Sequence, residues 1–247
     1  MRLIILLLAL CVTFGFGCAE EKDRVNYLRQ GYRLLDKNKF QEAETAFTNA
    51  LEYGYDYNKA YIGLSLTKTR SFPEDSAGFY VQNFEDAIPL LDNAIEADPN
   101  NPYGYALRGE AKLYSYDYKG AIRDYEKLVT MAPTNPGGFF FLGKAKFENG
   151  DFQGAINTLS YAIGLDSTLS QSFYMRAQAN DSLGNYREAI SDYNFSTQLD
   201  SGNTDVFINR GKTYLNLNES EYACSNFTTA KQLGSESAEQ LLQDHCK

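Results

Sequence analysis

At 247 residues the chain is long enough for one large domain, two small ones, or an array of repeats with no single central core. It carries 23 Lys and Arg against 32 Asp and Glu, a net charge of −9, and this balance argues against nucleic acid and anionic lipid surfaces, both of which call for a basic footprint. His245, at the far C-terminal end, is the single histidine, so metal and general-base chemistry that relies on histidine is nearly excluded.

The chain opens on Met1-Arg2, continues through an apolar run from Leu3 to Val12 and ends that segment in small residues from Thr13 to Gly17. This is the order of a secretory signal, and the run falls short of the roughly twenty residues that cross a bilayer. Gly15-Phe16-Gly17-Cys18 resembles the lipobox of bacterial lipoproteins, with Phe16 where that family usually has a small residue. The resemblance implies cleavage after residue 17, a diacylglycerol group on Cys18 and an outer-membrane anchor in a Gram-negative envelope, facing the periplasm or the cell surface. Residues 18–23 then read as an acidic tether. Ala19 replaces the Asp of an inner-membrane retention signal, and the acidic cluster resembles a surface-export signal.

Beyond the tether a fixed step governs the sequence. Gly109, Gly143, Ala177 and Gly211 are spaced 34 apart, as are Ala87, Ala121, Ala155, Ala189 and Ala223, and as are the aromatics Tyr105, Phe139, Phe173 and Phe207. Apolar residues at three- and four-residue spacings predict helices over Tyr103–Tyr114, Ala121–Thr130, Phe139–Glu148 and Ala155–Leu165. Breakers separate them, among them Asn149-Gly150-Asp151 within a unit and Ala132-Pro133-Thr134-Asn135-Pro136 between units. The small residue of each first helix lets two backbones approach closely.

The pattern resembles the tetratricopeptide repeat family, through Tyr105, Gly109, Ala121, Tyr125 and Pro133 in one unit and Phe139, Leu142, Gly143, Ala155 and Leu159 in the next. Six units follow, at 24–57, 58–101, 102–135, 136–169, 170–203 and 204–234, with a capping helix over 235–247. Departures are Ser65 at the small position of the second unit, Lys112 and Lys146 where the family usually has Tyr, and Ser220 at an aromatic position. The resemblance implies an all-α fold, a right-handed α-solenoid, whose first helices line a face that binds peptides or partner proteins.

Gly138 to Ala145 also spells a phosphate-loop pattern short of its final hydroxyl, but a proline-started helix precedes it instead of a strand, which argues against nucleotide. Carrying the family's groove positions over gives Leu28, Tyr32, Lys59, Ile62, Tyr103, Ala106, Glu110, Tyr114, Phe140, Lys144, Phe147, Tyr174, Gln178 and Ile208. The clamp by which some members hold a C-terminal carboxylate is not reproduced, since Leu28 and Ile62 stand where its Lys would. The second unit is ten residues too long, and the excess between Arg70 and Asn83 offers Phe72, Phe79 and Tyr80 as loop contacts.

With Cys11 in the leader and Cys18 lipidated, Cys224 and Cys246 remain. If the last helix folds back near Ser235, they lie at matching heights on two antiparallel helices and are expected to form a disulfide outside the cytoplasm. A zinc site from these thiols and His245 would lack a fourth ligand. No catalytic residues, metal or cofactor are expected. The expected function is a non-enzymatic scaffold for partner proteins in an envelope assembly, secretion or surface complex. The alternative is a surface component that captures glycan or peptide nutrients.

Overall fold

A computed structural model of the chain describes residues 21–54, 56–70 and 84–246. The signal segment, Cys18 and the insertion residues Phe72, Phe79 and Tyr80 lie outside the described residues. Among the described residues every regular element is an α-helix: α1 Glu21–Leu35, α2 Phe40–Glu52, α3 Tyr57–Arg70, α4 Phe84–Ala97, α5 Pro102–Tyr114, α6 Tyr118–Met131, α7 Pro136–Glu148, α8 Phe152–Leu165, α9 Ser170–Ser182, α10 Tyr186–Leu199, α11 Thr204–Asn216, α12 Ser220–Gln232 and α13 Ser237–His245. The first helix thus starts inside the segment read as a tether, at Glu21. None of these helices is long and apolar enough to cross a membrane.

The residues up to Ala111 and those from Lys112 onward form two compact units, with the boundary inside α5. In the first, α1 packs on α2, α2 on α3 and α3 on α4; in the second, each helix from α6 to α13 packs on its neighbours in sequence. Local chemistry starts these helices. Asp117 and Asp151 accept from the N–H of Gly120 and Gly154, Asn135 and Asn203 accept from Gly137 and Asp205, and Pro136 occupies the first turn, where a missing N–H goes unneeded.

The step of 34 is a burial pattern. Ala87, Ala121, Ala155, Ala189 and Ala223, and Ala43 ahead of the longer second unit, are fully inaccessible, and a second series, Leu91, Tyr125, Leu159, Tyr193 and Phe227, with Phe47 likewise ahead of it, plugs the space between helices almost as completely. Each plug of this kind contributes about 2 kcal/mol in apolar burial. Where glycine faces the plug, it fits because no side chain stands there: a Cβ on Gly143 would lie 2.6 Å from Leu159, and one on Gly211 would lie 2.5 Å from Phe227. In the second hairpin, α3–α4, Ser65 holds the small position, 34 residues after Gly31, while Gly63 makes room for the plug of the first hairpin. Phe47 rests between Gly31 and Gly63, where an added Cβ would come within 2.6 and 2.3 Å of its ring, while Ser65 is buried two residues on and donates to the Ile62 carbonyl.

Two glycine replacements therefore have opposite expected outcomes. Gly143→Ala should lower the unfolding free energy by about 1–3 kcal/mol, because the branched, enclosed Leu159 has nowhere to retreat. Gly164→Ala, at an exposed site of α8 with nothing within 4 Å, should raise it by about 0.5–1 kcal/mol through helix propensity. Urea denaturation of both variants beside the parent checks the pair, and equal effects would remove the close-approach argument.

Candidate partner-binding surface

The expected groove residues divide into those the fold leaves at the surface and those it consumes. In the first unit Leu28 and Ile62 are buried, at 8% and 3% exposure, so they belong to the core and not to an open face. Both are aliphatic and point between packed helices, where removal from water is favourable. Tyr32 is half-buried: its ring meets Phe47 edge-on at 5.0 Å and its hydroxyl donates to the Lys59 carbonyl at 2.8 Å. Burial, and then the nearby Tyr103 and Asp56, push this phenol up to about 12. Lys59 is exposed and ion-paired with Asp56 at 2.6 Å, and Tyr103 is half exposed, so both lie at the surface. Ala106 and Glu110 are partly buried.

In the second unit Ile208 is buried at 7%, beneath α13. Phe140 and Phe147 pack into a cluster with Leu159 and Ile156, Phe140 against Phe141 at 5.2 Å and Phe147 against Phe152 at 5.4 Å. What remains accessible is Tyr114, with the Lys144 ammonium 5.0 Å above its ring, and a polar chain in which Gln178 and Asn209 both donate to the Tyr174 hydroxyl, at 3.3 and 2.7 Å. The phosphate-loop pattern lies wholly within α7, and Lys144 is committed to Tyr114.

Next to the Tyr174 chain lies a group that the groove positions do not include. Asp181 accepts from Thr213 at 2.6 Å and from the Tyr193 hydroxyl at 3.1 Å, both on one oxygen, while its other oxygen is enclosed without a partner. Burial holds the Asp181 carboxyl above the usual carboxylate range, and the two donors pull it partly back. A carboxyl with a higher pKa folded than unfolded binds its proton more tightly when folded. Its stabilising contribution is fully present below the unfolded value, near pH 4, and is lost as pH rises through the folded value. Asp181→Asn should therefore abolish a decline in stability that the parent shows on going up from about pH 4. Thermal unfolding of parent and variant across that range checks it, and parallel curves would mean that Asp181 does not titrate as described.

A polar series recurs in the first helices. Arg108, Arg176 and Arg210 each lie over an aromatic three residues earlier, at 5.7, 5.7 and 5.3 Å from Tyr105, Phe173 and Phe207. Arg108 reaches back sixteen residues to Asp92 at 2.6 Å. Arg176 reaches both ways, to Ser160 and Asp192, and Arg210 to Asn194 and Asn226. Lys112 and Lys146, the departures from the family's Tyr, reach twelve residues on, to Asp124 at 2.8 Å and to the Thr158 hydroxyl at 3.4 Å. These contacts join first and second helices, so the series is structural rather than a face left for a partner. Among the described residues no cluster of His, Cys, Asp and Glu is arranged to hold a metal ion.

Comparison with known proteins gives one consistent picture. The model of the family described as "Tetratricopeptide repeat" matches residues 28–67 and 78–136, and that of "Anaphase-promoting complex, cyclosome, subunit 3" matches residues 114–194. No curated protein matches the chain. Among solved structures, MamA is 25% identical with a TM-score of 0.59, covering 64% of this chain and 92% of its own. YrrB, described as a TPR protein with an unusual peptide-binding site, is 22% identical with a TM-score of 0.62, covering 81% of this chain and 98% of its own. PilF of Pseudomonas aeruginosa is 16% identical with a TM-score of 0.70, covering 91% and 98%. With helix hairpins in both units, interlocked plugs at a constant step and matches over most of the described residues, the chain belongs to the tetratricopeptide-repeat family.

Proposed function

We propose that this protein is a non-enzymatic scaffold that binds partner proteins through exposed residues of its first helices, held by a lipid on Cys18 at a Gram-negative outer membrane in an assembly, secretion or surface complex. The observation that carries the reading is that the first helices, after Leu28, Ile62 and Ile208 are consumed by packing, leave Lys59, Tyr103 and Tyr114 at the surface, with Lys144 and Gln178 partly so. Tyrosine buries much area at low entropic cost, which suits it to protein contacts. The peptide-binding description of YrrB supports the same use of the fold.

The test is affinity capture from detergent-solubilised envelope, comparing the parent with the Tyr103→Ala, Tyr114→Ala and Lys144→Ala triple variant. A specific protein partner retained by the parent and depleted about tenfold by the variant, at unchanged melting temperature, is the expected result. Binding of oligosaccharides on a glycan array with no protein partner would replace the scaffold with nutrient capture. For the anchor, Cys18→Ser should abolish both the diacylglycerol mass increment and recovery in the membrane fraction. A Cys18→Ser protein that still sediments with membranes would overturn the lipid assignment.

A further inference from the structure

The described hairpin turns share a left-handed backbone position, filled by Asn38, Gly150, Gly184 and Asn218 at φ of 57, 81, 78 and 60°. These are the residue types that tolerate it. At the same place in the turn from α5 to α6 stands Tyr116, at φ 62° and 79% exposed. A bulky side chain costs about 1 kcal/mol more than glycine in this conformation, and a ring so exposed recovers little of that through burial.

What Tyr116 does is build one wall of a recess. Its ring meets that of Tyr118 edge-on, at 6.2 Å and 84°. With Leu113, Tyr114, Lys144 and Glu148 the two enclose about 160 Å³, all within the second compact unit. The lining restricts the ligand. Lys144 already covers the Tyr114 face, so a guest cation would meet a like charge, and a guest anion would face Glu148. A sugar needs a flat platform parallel to its ring, and two rings at 84° make a notch instead. A prolyl ring is compact, apolar and neutral. A polyproline II strand also carries carbonyls with no internal partner, which phenol hydroxyls and the Lys144 ammonium can satisfy.

We propose that the Tyr114–Tyr116–Tyr118 notch binds a proline-rich segment of a partner protein in the polyproline II conformation. This rests on the protein-binding reading above and names the chemistry of one contact within it.

The experiment is fluorescence anisotropy with a fluorescein-labelled decaproline peptide, against an alanine peptide of the same length and with maltoheptaose as competitor. Saturable binding of decaproline, not of the alanine peptide, and untouched by maltoheptaose is expected. Tyr116→Gly should weaken it about tenfold or more while melting at the same or a higher temperature, because glycine relieves the left-handed strain; loss of binding is then not loss of fold. Tyr118→Ala should weaken it similarly. Full affinity in Tyr116→Gly, equal binding of the alanine peptide, displacement by maltoheptaose or no binding of decaproline by the parent each overturns the notch. Because Tyr116 and Tyr118 are outside the triple variant used for partner capture, a Tyr116→Gly protein that still captures its partner leaves the scaffold reading standing when the notch fails.

Discussion

Asp192→Ala is expected to lower the unfolding free energy by about 3 kcal/mol, as removal of one partner from a buried ion pair does. The Asp192 side chain is 7% exposed and receives two bonds from Arg176, at 2.8 Å from Nε and 2.6 Å from Nη2. Arg176, itself only 22% exposed, would keep its bond to Ser160 and its seat over Phe173 but would lose the charge that offsets its desolvation. The chain contains its own control. At the equivalent positions one repeat earlier stand Leu142 and Thr158, both buried, with Thr158 bonded to the Gly154 carbonyl and Lys146. Arg176→Leu combined with Asp192→Thr should therefore recover stability to within about 1 kcal/mol of the parent, since removing both charges leaves none stranded. Because repeat arrays can open unit by unit, amide exchange in α9 and α10 is the measurement to place beside urea denaturation. Single and double variants that lose the same amount would show that the site depends on shape rather than on charge.

The helix hairpins were legible because the 34-residue step records positions of total burial, and a small residue facing a large plug tolerates little substitution. The polar contacts were less so. Arg176 pairs with residues sixteen away on either side, a distance invisible to a search for helical spacings, although Asp124, Thr158, Asp192 and Asn226 fall on the same 34-residue step and could have been found by it. Leu28, Ile62 and Ile208 were assigned to an open face by position alone; an aliphatic side chain there is drawn into the gap between helices instead. Asp181 had a signal too. Its counterparts Leu35, Leu113, Phe147 and Leu215 are apolar and Thr69 bonds within its own helix, so a carboxylate in that place has to find donors, which Thr213 and Tyr193 supply. Gly63 left no signal in the 34-residue step, because it serves Phe47 of the preceding hairpin while Ser65 keeps the small position of its own.

Reduction of the Cys224–Cys246 bond is expected to release α13, at a cost of about 3 kcal/mol for closing a loop of this span. Little else holds that helix. It is nine residues long, too short to persist alone, and of its apolar side chains Ala238 is buried and Leu241 and Leu242 only partly so. The ion pair between Lys231 and Glu239 lies in the open at half exposure and adds little. Yet α13 covers Phe207, Ile208 and Ala230, the apolar face that the last hairpin would otherwise present to water. The disulfide thus stands in for the burial that a further full repeat would provide. In the Cys224→Ser and Cys246→Ser double variant, amide protection across α13 should fall by about a hundredfold, the ratio corresponding to that free energy, while a dye that reports exposed apolar surface gains signal. Amides of α7 and α8, two hairpins away, should keep their protection because each repeat contacts only its neighbours. If α13 stays protected without the bond, packing by Ala238 and Leu241 is sufficient and the crosslink does not hold the cap.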